Sequence, residues 1–181
     1  VVTEQHNSHD LQRLFQSCFL RSHNTVLEGG ASEPLYSPAG TTQKHHTIRF
    51  SHDYYASALH EIAHWLVAGP QRRLQEDYGY WYAPDGRTEQ QQREFERMEV
   101  NPQALEWLLA KAAGFRFRVS ADNLLEGLAA SESFKHDIHR RALALCAGGL
   151  NDRAQTLITA LADYYQSADA LLPENFQLAE L

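Results

Sequence analysis

Apolar residues recur at helical spacing over most of this protein and alternate in only a few short stretches. That pattern predicts an α+β protein that is mostly helical. Leu11, Leu14, Phe15, Cys18 and Phe19 mark a short amphipathic helix over residues 9–20. Residues 28–40, rich in Gly, Ser and Pro, read as a loop in which Leu35-Tyr36 is an edge strand. Thr47-Ile48-Arg49-Phe50 alternates and reads as a strand running straight into the next helix. In that helix Tyr55, Leu59, Ile62, Leu66 and Val67 form the apolar stripe, Ser51 or Asp53 is the cap, and Gly69-Pro70 is the stop.

Further on, residues 71–77 are a charged helical continuation or a loop. Gly79-Tyr80-Trp81-Tyr82 reads as an aromatic strand ending at the Pro84-Asp85-Gly86 turn. Thr88 and Gln91 form a capping-box pattern that opens a long helix. Its core face is Phe95, Met98, Leu105, Leu108, Leu109 and Ala112, and Gly114 ends it. Pro102 falls inside: either the helix kinks there, or a new helix starts with Asn101 as cap. Residues 115–119 alternate as a short strand. Residues 131–165 read as two helices broken at Gly148-Gly149, followed by a loop-like tail. With no repeat and no low-complexity linker, one domain over residues 1–181 is expected.

The chemistry sits in the second helix. His60-Glu61-Ile62-Ala63-His64 is an H-E-x-x-H motif. At i and i+4 the two imidazoles lie roughly 40° apart around the axis and about 6 Å along it, close enough to share one metal ion. Glu61 is about 100° further round and reaches the open side of that ion. A surface helix with two chance histidines is the plain alternative. The apolar stripe and the small Ala56, Ala58 and Ala63 argue for burial instead, and buried histidines need partners.

Two histidines call for a third ligand. Glu96 and Glu99 lie one turn apart on the next long helix; Asp77, Asp85 and Glu94 sit in charged or loop-like stretches. A solvated face with Arg93 and Arg97 is the simple reading of both glutamates. Glu99, among Met98, Val100, Pro102 and Leu105, is the preferred ligand because a carboxylate in apolar surroundings needs a cation. A two-His-one-carboxylate site fits two chemistries. With zinc it is a zincin-like peptidase with Glu61 as general base, and the 47–50 strand supplies the edge its substrate groove needs. With iron(II) it is an oxygenase. No H-x-D or H-x-E occurs in the sequence, so the jelly-roll oxygenase fold is not expected.

Composition narrows the partners. The 181 residues are 43% hydrophobic, enough for a sizeable core. A net charge of -7 argues against general nucleic-acid binding. No apolar run suits a membrane span or a signal peptide, and Cys18 and Cys146 read as free thiols, so a cytoplasmic protein is expected. His6, His9 and His23 read as part of a solvated N-terminal region, and His45-His46 precede the strand.

Several blocks also resemble the elongation factor P hydroxylases. They are Tyr55-Ala56-Ser57-Ala58-Leu59-His60-Glu61-Ile62-Ala63-His64-Trp65, Gly79-Tyr80-Trp81-Tyr82-Ala83-Pro84-Asp85-Gly86-Arg87, and Phe95-Glu96-x-x-Glu99-Val100-x-Pro102-Gln103-Ala104-Leu105-x-Trp107 with Ala112-Ala113-Gly114. Val119-Ser120-x-Asp122-Asn123-Leu124 completes them, and the similarity runs over residues 33–127. The resemblance implies hydroxylation of the modified lysine of elongation factor P after a lysyl group has been attached. It implies metal ligation by His60, His64 and Glu99, and a fold other than the jelly roll. Iron(II) with O2 as co-substrate is then expected, because zinc cannot hydroxylate an unactivated C–H bond. Glu61 is expected to act from outside the ligand set, hydrogen bonding to bound water or the substrate amine. Tyr80, Trp81 and Tyr82 are candidates for the wall that receives the modified side chain, with core packing as the alternative. Asp85 and Arg87 are placed to meet the partner, with a simple Asp-Gly turn as the alternative. A monomer that acts without nucleic acid or membrane is expected. A binding module without chemistry is the remaining possibility.

Overall fold

The computed structural model describes residues 6–79, 87–120 and 130–181. Five helices and a three-stranded sheet make up the described fold, α+β and mostly helical, with no jelly roll among the described residues. Helix α1 (Ser8–His23) is capped by Asn7, whose side chain accepts from the His9 N–H, and it buries Leu11, Phe15 and Phe19. Its flanking histidines are not solvated as the sequence suggests. His6 Nε2 donates to the Ala113 carbonyl oxygen at 2.8 Å, and the ring packs against Tyr55, Phe115 and Tyr165. The His23 ring lies edge-on to Trp65 and Phe19. Most of these rings come from other parts of the sequence, so periodicity within the first helix could not reveal them.

Strands β1 (Thr25–Ala31), β2 (Leu35–Ser37) and β3 (His46–Ser51) pair in the order β1-β3-β2. β1 runs parallel to β3 and β2 antiparallel to it. Most of β1 falls where the sequence reads as loop. Gly29-Gly30 gives that impression, yet the glycines make a bulge: the register shifts between Glu28 and Ala31, and Gly30 has φ +83°. Gly29 lies so close to its neighbours that a Cβ there would meet Asp53 Oδ1 at 2.6 Å and Phe50 Cζ at 2.8 Å.

β3 feeds helix α2 (Tyr55–Val67), which carries the H-E-x-x-H motif. Neither Ser51 nor Asp53 caps it; Tyr54 occupies the N-cap without a side-chain bond. Asp53 lies against Gly29, and Ser51 gives its N–H to Ser57 Oγ at 3.0 Å. At the other end the helix stops before Gly69-Pro70, and its last carbonyls are bound from outside. Arg153 donates to the Trp65, Leu66 and Ala68 oxygens, Asn151 to Leu66 and Arg73 to Ala68. Cationic side chains there satisfy carbonyls that lack helical partners and complement the helix dipole. Residues 71–77 form short 3-10 turns at Arg72–Leu74 and Glu76–Gly79.

Helix α3 (Glu89–Ala113) opens with the expected Thr88/Gln91 capping box and runs as one helix through Pro102. Trp107, Leu108 and Leu109 lie in the core, but Met98, expected there, is 40% exposed. No strand forms over residues 115–119. Phe117 is buried and Arg116 and Arg118 are exposed, so the alternation holds, but no neighbouring strand is present among the described residues. The Gln103 amide takes that place, donating to the Ser120 carbonyl and accepting from its N–H. Helices α4 (Glu132–Ala144) and α5 (Asp152–Tyr165) follow, separated by an irregular turn at Leu145–Gly149. Both cysteines are free. Among the described residues no helix is long and apolar enough to cross a membrane.

Candidate metal centre

Helix α2 is apolar on nearly every side. Ala58, Leu59, Ile62, Ala63, Trp65 and Leu66 are fully or almost fully buried. His60, Glu61 and His64 are half-buried on the remaining stripe. α3 packs against α2 with the opposite pattern. Glu99, Gln103 and Glu106, spaced four and three apart, put three polar side chains into an otherwise apolar contact, and all three are buried.

The two helices bring His60, His64 and Glu99 together, with one possible ligand atom from each within 4.8 Å of the others. The Nε2 atoms of His60 and His64 are 3.1 Å apart. His64 Nε2 is 3.3 Å from Glu99 Oε1, and His60 Nε2 is 3.8 Å from Glu99 Oε2. Ligands about 2.1 Å from an ion are separated by about 3.0 Å at right angles and about 3.4 Å at the tetrahedral angle. The donor set therefore fits one divalent ion with little movement.

The surroundings favour a cation as well. His60 Nδ1 donates to Glu106 Oε2 at 2.8 Å, which fixes the proton on Nδ1 and turns the Nε2 lone pair toward the site. Gln103 Nε2 donates to Glu99 Oε2 at 3.3 Å and holds that carboxylate in place. Burial opposes a charge on His60, yet Glu106, Glu99 and Glu61 outweigh it and lift the imidazole to about 10. Burial also opposes ionisation of Glu99, but the two histidines and Gln103 hold it down at about 2. Without an ion the surrounding carboxylates therefore hold a proton on His60, and a divalent ion would take that proton's place at Nε2.

Glu61 lies on the other side of the motif turn. Burial raises its carboxyl above the usual range against the pull of His60 and His64. Among the described residues it makes no hydrogen bond or ion pair. The same side carries Tyr78, buried and stacked on Tyr36 with ring centroids 4.3 Å apart. Burial and then the Glu61 carboxylate push its phenol well above the ordinary tyrosine range.

Other residues singled out by the sequence fall elsewhere. Glu96 accepts from Ser131 Oγ at 2.7 Å, holding the residue that caps α4. Asp77 accepts from the Tyr36 N–H. Arg87 is buried with its guanidinium 3.9 Å from the centre of the Phe95 ring. Tyr80, Trp81, Tyr82 and Asp85, with the strand expected around them, lie outside the described residues, as do Asp122, Asn123 and Leu124. Val67 and Met98, both expected in the core, instead line a pocket of about 420 Å³ beside His64, together with Pro102 and Arg72.

Sequence reasoning missed Glu106 and Gln103. Their signal was present: polar residues four and seven positions after Glu99 can only lie on its face of the helix. The strand leading into α2 also differs from the groove edge a peptidase would need. β3 is the central strand, with β1 and β2 occupying both of its edges.

This protein is similar to known proteins over nearly its whole length. A family model described as elongation factor P hydroxylase matches residues 14–176. The elongation factor P lysine hydroxylase of Haemophilus influenzae is 48% identical over 174 residues, which cover 96% of this protein and 98% of its own length.

Proposed function

The chain belongs to the elongation factor P hydroxylase family, and from that premise we propose that it is a non-haem iron enzyme acting on the lysyl-modified lysine of elongation factor P. The observation that carries the metal part is the His60, His64 and Glu99 cluster with Glu106 behind it. One oxygen atom of O2 enters a C–H bond of the modified lysine, and the other leaves as water with two electrons from an external reductant and two protons. Bound iron(II) supplies the one-electron chemistry toward dioxygen that zinc lacks.

The protein's own side chains do the rest. His60, His64 and Glu99 hold the ion. Glu106 orients the His60 ring, and Gln103 orients the Glu99 carboxylate. Glu61 accepts a hydrogen bond from an amine of the incoming lysine, a role that suits a half-buried carboxylate with no hydrogen-bond partner among the described residues. Tyr80, Trp81 and Tyr82 are assigned to binding that lysine, and Asp85 to meeting the partner protein. The enzyme works as a monomer in the cytoplasm, without nucleic acid or membrane.

A zincin-like peptidase is not supported. The matching family and relative are described as hydroxylases, and the strand beside the motif helix offers no free edge. The test is mass spectrometry of lysyl-modified elongation factor P after incubation with the iron(II)-loaded protein in air. A gain of one oxygen atom is expected. No gain with iron, or an equal gain with zinc, would overturn the iron assignment.

A further inference from the structure

The contacts across the metal centre set the relative direction of the two helices. His60 Nδ1 lies 2.8 Å from Glu106, and His64 Nε2 lies 3.3 Å from Glu99. Moving forward along α2 is therefore moving back along α3. One turn past His64 comes Val67, and just before Glu99 comes Met98. Both line the pocket of about 420 Å³, together with His64, Ala68 and Pro102. Around the α2 axis Val67 and Ala68 bracket the stripe that carries the two histidines. The pocket thus continues the groove in which the ligand atoms meet, and His64 belongs to both.

The pocket is open and its walls are mostly carbon. Val67 is 36% and Met98 40% exposed, although each belongs by sequence to the apolar face of its helix. Large apolar side chains left at the surface on both walls of one pocket mark a place where something binds. Among the described lining residues no carboxylate is present. The one cation there, Arg72, donates to the Tyr78 carbonyl at 3.0 Å. A free ammonium finds no counter-charge in this pocket, whereas a chain of methylenes finds apolar surface along its length. On the hydroxylase reading the molecule that must reach the ion is such a chain, a lysine stem with a polar end. The amine is left to Glu61, which lies one turn back from His64 on the neighbouring stripe of α2.

We propose that the pocket of Val67, Met98 and Pro102 receives the methylene stem of the modified lysine and lays it along the groove between α2 and α3 toward the metal centre. This rests on the hydroxylase reading above. The contact is made in the bound ground state and kept during reaction, so its loss falls on KM rather than kcat.

Wild type, Met98→Trp, Met98→Ala and Leu74→Trp, all full-length and iron-loaded, are compared for hydroxylation of lysyl-modified elongation factor P, metal content and thermal unfolding. Met98 and Leu74 are both exposed, so neither change disturbs the core. Met98→Trp fills the pocket and is expected to raise KM about tenfold with kcat little changed. Met98→Ala removes part of one apolar wall and is expected to raise KM about threefold. Leu74 is not part of the pocket lining, so Leu74→Trp adds the same ring elsewhere and should leave KM as in wild type. Metal content and unfolding temperature should match wild type throughout. If Met98→Trp does not fold, Met98→Ala decides alone. An unchanged KM in the Met98 variants, an equal rise in Leu74→Trp, or a loss that follows metal content would each overturn the proposal. A wild type that does not hydroxylate the factor would overturn the hydroxylase reading and this inference with it. An active wild type matched by both Met98 variants would overturn this inference alone.

Discussion

The two sides of the motif turn are built differently. On the histidine side the acceptors are engaged: Glu106 takes the His60 Nδ1 proton in a hydrogen bond, and Glu99 faces both Nε2 atoms and the Gln103 amide. On the other side neither Glu61 nor the buried Tyr78 hydroxyl makes a hydrogen bond among the described residues. A side whose polar groups are mutually oriented suits a resident ion. A side whose polar groups lack partners suits a molecule that arrives and leaves. On the proposed reading the difference separates His60 and His64, which hold the metal, from Glu61, which meets the substrate, although one helical turn carries all three.

Substitutions on the two sides should therefore fail differently. The largest effect is expected from Glu99→Ala, which leaves two imidazoles to hold the ion; metal analysis should find the site largely empty and activity absent. Full occupancy in that variant would remove Glu99 from the ligand set. Next comes Glu61→Gln, which keeps size and hydrogen bonding but loses the charge. Metal content should stay near normal while turnover falls by about 10–100-fold. An empty site there would move Glu61 onto the ligand side and collapse the distinction.

Glu106→Gln sharpens the comparison from the ligand side. His60 keeps a neighbour but loses its charged acceptor, so metal affinity should weaken by about 10–100-fold in a titration, with catalysis restored at saturating metal. The smallest effect is expected from Glu96→Ala. It removes the carboxylate bound by Ser131 at the start of α4, lowering unfolding stability by about 1 kcal/mol with metal content unchanged. Loss of metal in this variant instead would mean that the wrong glutamate had been assigned.

Much of this arrangement is legible in the sequence. The motif helix, the capping box at Thr88 and Gln91, the strand into the motif and the break at Gly148-Gly149 follow local rules, and the structure has each of them. The departures have non-local causes. Gly29-Gly30 reads as loop because a bulge accommodating Asp53 and Phe50 cannot be inferred from strand propensity. Residues 115–119 read as a strand because alternation reports one buried and one exposed face, whereas a strand also needs a neighbour, and Gln103 stands in for one. Apolar neighbours favour Glu99 over Glu96, and the structure buries Glu99 beside the histidines. Glu106 carries the same signal seven residues on.

The central claim is that this His-His-Glu centre activates dioxygen and does not hydrolyse. Isotope-labelled dioxygen tests it most directly. The iron(II)-loaded protein is incubated with lysyl-modified elongation factor P under labelled O2 in ordinary water, and in parallel under ordinary O2 in labelled water. The modified lysine is predicted to gain one labelled oxygen atom in the first experiment and none in the second, with no product under strict anaerobic conditions. Label drawn from water, or full product without oxygen, would contradict the claim.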